Sequence, residues 1–315
     1  MSTFAQAQPA FRGLGEVASL AAALIWSLSI TMYSKYGKHV DSILLNVNKN
    51  VVAGICLVLT ALAMRTPVPQ TFTQVPILGL SGVIGIALGD TLFFFALMHI
   101  GANLTSALQC LAPLISAVLA LMFLGENMSD LEVVGMIVTI VAVTGVVLFH
   151  KKDQAGTSPV SQRKFALGVA YALASAICHG IGIVMSRHAL QDIDIVYGTF
   201  ARILPAVLAL AIWQRRMVPK TPDQVPIWAT RKQGLILTAA AFLGTYMGLI
   251  LMSLSTKYTK AGVGTALSST YPIWVIPVAR VMMNERSSLV SIVCTVLAVV
   301  GIVIMVLGGP GVGFE

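Results

Sequence analysis

The chain is built from apolar blocks about as long as a membrane is wide, with almost no charge inside them. Residues 75–98, 102–124, 131–149 and 289–307 are the clearest. A helix rises 1.5 Å per residue, so about 20 apolar residues cross a ~30 Å hydrocarbon core. Strand-type alternation is absent, which argues against an outer-membrane barrel. Charged residues make up only 10% of the chain and hydrophobic ones 57%. A soluble domain carries roughly 25% charged residues, so this chain lacks the polar material to cover a water-facing surface. It reads as an all-α polytopic membrane protein in contact with the lipid bilayer.

Helices are expected near 16–34, 43–64, 75–98, 102–124, 131–149, 166–186, 195–214, 233–254, 261–283 and 288–308, ten spans in all. Two longer breaks interrupt the short connections: 150–164, rich in Lys, Ser, Gly and Asp, and 214–233, with several prolines and basic residues. The first divides the chain into residues 16–149 and 166–308, joined by a linker at 150–165 and flanked by tails at 1–15 and 309–315. The N-terminal tail has no short apolar region with a cleavage site, so the first span is expected to be retained.

The two halves repeat. A shift of 159 residues brings Ser81, Gly85 and Gly89 onto Ala240, Gly244 and Gly248, Pro113 onto Pro272, and Glu126 onto Glu285. Earlier in each half a shift of 153 brings Trp26 onto His179 and Lys49 onto Arg202. An odd number of spans per copy forces the second copy to insert upside down. Two inverted five-helix repeats around a central cavity are therefore expected, the plan of many secondary transporters. Small-residue stripes such as Gly168, Ala172, Ala176 and Gly180 let helix backbones approach.

The net charge of +8 lies mainly in loops, where it marks topology and not a nucleic-acid surface. With the N-terminus inside, the cytoplasmic connections would hold five Lys or Arg and the opposite side thirteen. The positive-inside rule thus favours both termini outside. The four cysteines all fall in apolar segments and none has metal-ligand spacing, so no metal site and no cofactor is expected.

Ionisable and polar side chains in mid-span are the functional candidates, because each costs ~2.5 kcal/mol or more there. Lys49 lies in a polar run with Asn46 and Asn50 on one helical face. Its repeat-mate Arg202 lies at the same depth, so a shared cavity-lining role competes with snorkelling of both to the interface. Asp90 has no counterpart in the second copy, where Leu249 stands; it is the candidate coupling residue or a partner for Lys49. His179 and Trp26 are mid-helix and repeat-equivalent, and an imidazole can contact substrate or a proton. Pro113 and Pro272 are expected to kink their spans. Gln109, Tyr171, Tyr271 and Trp274 are candidates for the polar and aromatic lining. Glu126 and Glu285 read as interfacial helix-end residues and not as binding groups.

At these positions the chain resembles EamA-domain proteins of the drug/metabolite transporter superfamily. Residues 96–126, ALMHIGANLTSALQCLAPLISAVLALMFLGE, carry the resemblance most clearly. Residues 255–285 repeat it with Met283-Asn284 in place of Leu-Gly. ALIWSLSI in the first span is similar to the family's Trp-Gly start, with Ser27 in place of the common Gly. Lys49 and Arg202 stand where the family usually has Arg. The resemblance implies helices one to four and six to nine around the cavity, five and ten outside it, and transport by alternating access. It also implies both termini in the cytoplasm, against the charge count.

No G-x-x-x-x-G-K-[ST] loop is present, so a secondary transporter in the cell membrane is expected, drawing on a gradient or on exchange. Lys49 and Arg202 suit a carboxylate or phosphate and the aromatics an apolar moiety. Export of amino acids or similar organic solutes is the leading reading, with protons as the candidate coupling ion. A channel or scramblase lacks a positive sign. An intramembrane aspartyl protease needs two facing carboxylates, and the ALGD at 87–90 supplies one. Whether the protein is a monomer or a dimer is open. Fusions of phosphatase and of fluorescent protein to the C-terminus test the orientation: the charge count predicts phosphatase activity and no fluorescence, and the opposite outcome refutes it.

Overall fold

The computed structural model of the protein describes residues 13–65, 73–124, 128–153, 159–189, 193, 195–217, 225–258, 261–284 and 287–308. Glu126 and Glu285 lie outside the described residues, so their interfacial reading is untouched. The described residues form helices and no strand. In chain order these are α1 (Leu14–Tyr36), α2 (Ser42–Met64), α3 (Val75–Gly82), α4 (Asp90–Leu108), α5 (Leu111–Leu124), α6 (Asp130–Asp153), α7 (Pro159–Ala189), α8 (Ile195–Met217), α9 (Arg231–Ala241), α10 (Gly248–Tyr258), α11 (Ala261–Ser268), α12 (Tyr271–Met283) and α13 (Leu289–Gly308). Two π-helical stretches, Val83–Gly89 and Phe242–Met247, join α3 to α4 and α9 to α10.

Among the described residues eight helices are long and apolar enough to cross a membrane, and two shorter apolar helices accompany them. Polarity is turned inside out relative to a soluble protein. Leu62, Phe123, Val141 and Val281 are exposed, whereas Ser27, Thr31, Asn46, Ser81, Thr105 and Ser175 are fully buried. Lipid tails accept the leucines; Ser27, Thr31 and Ser81 bond back to carbonyls of their own helices, and Asn46 and Ser175 donate across to a neighbour. The chain is a multi-pass membrane protein.

Local chemistry accounts for the helix ends. Asp41 caps α2 by accepting from the Leu44 amide at 2.9 Å. Ser129 and Glu132 form a reciprocal capping box at α6, with the Ser129 amide donating to Glu132 at 2.7 Å and the Glu132 amide to Ser129 at 3.2 Å. Thr230 caps α9 through the Gln233 amide at 3.1 Å.

The chain reverses at Gly101, whose φ of 75° is one that glycine adopts without a Cβ penalty. Before it, successive residues Gly85, Gly89 and Ile100 pack on Gly182, His179 and Gly168 of α7, so the two run antiparallel. After it, Gln109 meets Ser175 and Ala112 meets Gly180, so the direction is parallel.

The expected proline kinks are full breaks instead. α4 ends at Leu108 and α11 at Ser268; two turn residues follow each, and Pro113 and Pro272 lie in the first turn of the next helix. A proline costs little there, since the first-turn amides have no intrahelical acceptor.

A π-helical stretch turns carbonyls away from the regular ladder, and in an apolar surround each needs another donor. Asn46 Nδ2 donates to the carbonyls of Ile86 at 2.9 Å and Ala87 at 3.2 Å, and Ser175 Oγ to Gly89 at 2.8 Å. Trp26 Nε1 donates to the Gly244 carbonyl at 2.8 Å, in the second stretch, and Ser29 Oγ to Ala240 just before it at 2.8 Å. The packing is reciprocal. Trp26 covers Gly248 while His179 covers Gly89; Ser29 meets Gly244 while Gly182 meets Gly85. These two contacts therefore recur with the halves of the chain exchanged.

α6 and α13 pack on one another along their length, outside the rest. Gly135 lies against Gly301 and Met305, Thr139 Oγ1 is 3.3 Å from the Ala298 carbonyl, and Gly145 touches Cys294. The descending order of partners makes the pair antiparallel. A Cβ at Gly301 would collide with Thr139 Oγ1 and the Gly135 carbonyl, whereas one at Gly54 would make ordinary contact with Ile203 at 3.6 Å. Overpacking costs roughly 1–3 kcal/mol. Gly301→Ala is therefore expected to lower the melting temperature of the purified protein by several degrees and Gly54→Ala to leave it unchanged, as read by thermal unfolding in detergent.

Candidate functional site

The π-helical stretches and the two helix breaks meet around a central cavity of about 470 Å³, within the range of small-molecule sites. One wall comes from α1, where Trp26, Ser29, Ile30 and Tyr33 follow at i, i+3, i+4 and i+7 on one face. α2 supplies Lys49 and α4 supplies Asp90, Phe93 and Phe94. The break before α5 presents Gln109 with Ala112 and Pro113 beyond it, and α7 presents His179 and Ile183. The second half closes the cavity with Gly244, Thr245, Thr265, Ser269 and Tyr271. α6 and α13 contribute no lining residue.

Charge is concentrated at one side. Lys49 Nζ lies 2.5 Å from Asp90 Oδ2, and His179 Nε2 lies 3.1 Å from Asp90 Oδ1. The other ring nitrogen, His179 Nδ1, is 3.2 Å from Gln109 Oε1. Gln109 Nε2 donates to Ser175 Oγ at 2.7 Å, and Ser175 in turn to the Gly89 carbonyl at 2.8 Å. Lys49 Nζ is also 5.9 Å from the Phe94 ring centre, within cation–π range. A lone carboxylate or ammonium at this depth would be expensive, and pairing is what makes both tolerable.

The rest of the lining is aromatic and apolar. Trp26 and Tyr271 meet edge to face at 6.2 Å, and Tyr33 and Phe94 at 5.0 Å. Tyr33 and Phe94 are buried, and beyond them lies a second, wider recess at the bundle end. That recess is lined by Lys35, Lys38, Leu97 and Met282, with Lys35 Nζ donating to the Met282 carbonyl at 2.5 Å. Among the described residues the Tyr33 hydroxyl has no hydrogen-bond partner.

The residues singled out from sequence divide into two groups. Lys49, Asp90, His179, Gln109, Trp26, Tyr271 and Pro113 line the cavity. Asn46 and Asn50 do not; they are fully buried and brace the first π-helical stretch, with Asn50 Nδ2 donating to Asn46 Oδ1 at 2.7 Å. Tyr171 is away from the cavity, stacked near Phe95 at 5.3 Å and His99 at 5.5 Å. Trp274 is 40% exposed on the outer surface of α12, and Pro272 is buried between helices.

Arg202 parts from its repeat-mate. Its Nε donates to Ser81 Oγ at 3.1 Å and its guanidinium packs by Gly85, outside the cavity lining. The second copy has Leu249 at the position of Asp90, so the Lys49–Asp90 pair has no counterpart there. Sequence reading missed Tyr33, Phe94, Ser175 and Thr245. Tyr33 was within reach, since it continues the helical stripe of Trp26. The others depend on which helices meet. Among the described residues no group of three His, Cys, Asp or Glu could hold a metal ion.

Comparison with known proteins agrees with this architecture. The "Probable terminal-alkyne amino-acid exporter" of Streptantibioticus cattleyicolor is 24% identical over 271 residues, covering 83% of this chain and 82% of that protein. A solved crystal structure superposes with a TM-score of 0.67 at 18% identity, covering 93% of this chain and 96% of that one; at that identity it speaks to the fold alone. Two stretches, residues 13–148 and 166–307, match the EamA-like transporter family. With a multi-helix apolar bundle and both halves of the chain matched, the protein belongs to the EamA-like transporter family.

Proposed function

We propose that the protein is a secondary active exporter of amino acids or similar organic solutes in the cell membrane, working by alternating access. The observation that carries this reading is the Lys49–Asp90 pair facing an aromatic-lined cavity. A cation and an anion side by side match the two ends of a zwitterion. Lys49 would take the carboxylate and Asp90 the ammonium, each exchanging an internal partner for one of like charge. Trp26, Phe94 and Tyr271 would hold an apolar side chain. The resemblance to a protein named as an amino-acid exporter supports the same substrate class.

Ten crossings in two inverted five-helix repeats, residues 16–149 and 166–308, form the scaffold of this reading. Three observations support it: the 159-residue offset between the π-helical stretches, the reciprocal contacts across the halves, and the antiparallel packing of α6 on α13. Alternating access would then exchange the conformations of the two halves, with the breaks at Gln109 and Ser269 as flex points. With both termini outside, the recess holding Lys35 and Lys38 faces the cytoplasm, behind Tyr33 and Phe94. Protons are the proposed coupling ion, with Asp90 as the coupling carboxylate.

Cells overexpressing the protein are expected to tolerate a toxic amino-acid analogue better, and purified protein in liposomes to carry out saturable, stereoselective counterflow. Unchanged tolerance together with no counterflow refutes the reading. A charge-assisted hydrogen bond is worth about 1.5–3 kcal/mol, so Lys49→Ala should reduce uptake of a zwitterionic substrate about tenfold or more. A neutral result returns Lys49 to a structural role. Asp90→Asn should remove the pH dependence of transport with folding intact; transport that stays normally pH-dependent makes Asp90 structural.

A further inference from the structure

The hydrogen-bond chain behind the cavity has a direction. The Gly89 carbonyl can only accept, so the Ser175 hydroxyl donates to it at 2.8 Å. With that proton committed, Ser175 Oγ must accept from its other neighbour, and the Gln109 amide nitrogen donates to it at 2.7 Å. The same amide therefore turns its oxygen to His179 Nδ1, at 3.2 Å, and Nδ1 must carry a hydrogen. A neutral imidazole has one N–H. If it is on Nδ1, the bare lone pair of Nε2 faces Asp90 Oδ1 at 3.1 Å. Two acceptors do not hold one another at that distance; a proton between them does.

We propose that His179 and Asp90 together hold one proton, and that Gln109 and Ser175 are positioning residues that impose it by fixing the imidazole tautomer. On loading, a proton from cavity water adds to the Nε2 lone pair, and the imidazolium donates one hydrogen to Gln109 Oε1 and one to Asp90 Oδ1. On release, that N–H bond breaks, the proton returns to water, and Nε2 is left facing the carboxylate. No electrons or other atoms are exchanged. Asp90 thus lies between two cations in the loaded state, with Lys49 on Oδ2 and imidazolium on Oδ1.

The other ionisable groups around the pair leave His179 as the partner. Tyr33 from α1 and Arg202 from α8 lie within electrostatic range of Asp90, but Arg202 bonds to Ser81 instead. Cys178 is beside His179 on its own helix, with its Cβ toward Gly89; Cys110 bonds back to Ser106, and Tyr271 is across the cavity beside Trp26. His99 lies toward the other end of α7, by Gly168 and Tyr171.

Resting on the proposed function, this also gives the exchange a physical cause. The ammonium of a bound zwitterion and the proton on His179 are both drawn to the Asp90 carboxylate, so substrate entry favours loss of the proton.

The test does not need the substrate. The chain has five histidines, and nitrogen-15 NMR of histidine-labelled protein in lipid nanodiscs reads the protonation of each ring nitrogen. One histidine, absent in His179→Gln, should keep Nδ1 protonated across the pH range while only Nε2 gains and loses its proton. In Gln109→Leu that ring loses its Nδ1 acceptor, and its titration should move to acid by about one pH unit, a tenfold change in proton affinity. A His179 whose neutral form carries its hydrogen on Nε2, or a titration unmoved in Gln109→Leu, overturns the proposal. Should Gln109→Leu fail to fold, Ser175→Ala should shift the titration in the same direction, and an unmoved titration there overturns the proposal equally. Counterflow across a panel of L-amino acids in liposomes tests the transport reading separately: its absence throughout, with the NMR signature present, counts against amino-acid transport and leaves the proton site standing.

Discussion

Two spans of this bundle are interrupted at mid-depth by π-helical turns, and the rest of the structure depends on how their carbonyls are satisfied. Water is not available to do it in an apolar surround. Donors come instead from neighbouring helices: Asn46 and Ser175 at the first stretch, and Trp26 at the second, where Ser29 holds the turn just before it. These bonds set the spacing of α1, α2 and α7 around the interrupted spans. They also leave Asp90, one residue past the first stretch, aimed at the cavity beside Lys49 and His179.

The same residues thus serve architecture and site together. Ser175 braces the Gly89 carbonyl and also orients Gln109, which orients His179. Trp26 braces Gly244 and also forms a cavity wall against Tyr271. A shift in either π-helical stretch is therefore felt at the charged cluster without any long pathway. The π-helical turn is a frequent mark of functional positions, and here its irregular backbone and the site's chemistry share hydrogen bonds.

Near-symmetry sharpens the role of the exceptions. The two halves pack reciprocally, Trp26 on Gly248 and His179 on Gly89, yet their chemistry differs. Asp90 is answered by Leu249, and Lys49 by Arg202, which turns away to Ser81. The first half supplies the ion pair and most of the aromatic lining, and the second supplies His179, Tyr271 and the hydroxyls of Thr245, Thr265 and Ser269. The cavity is therefore lopsided, with a charged side and an apolar side, as a solute with a charged head and an apolar tail would require.

Much of this was legible in the chain of letters. Block length and hydropathy determined a multi-pass helical bundle, because only a helix satisfies its own backbone in lipid. The repeated glycines, prolines and charges located the equivalent segments, and the scarcity of charge in mid-span made Lys49, Asp90 and His179 conspicuous. What the letters could not carry was which helices meet. Asn46 and Asn50 share a face with Lys49 yet brace a neighbour's backbone; Tyr171 and Trp274 sit near cavity positions in sequence yet point elsewhere; Ser175 gains its role only by lying opposite Gly89. Nor could they announce that Pro113 and Pro272 restart helices after a break. Spans and buried charges follow from each segment's own free energy in lipid. Partners, tautomers and the walls of the cavity follow from contacts between residues tens to hundreds of positions apart, and only the packed bundle decides those.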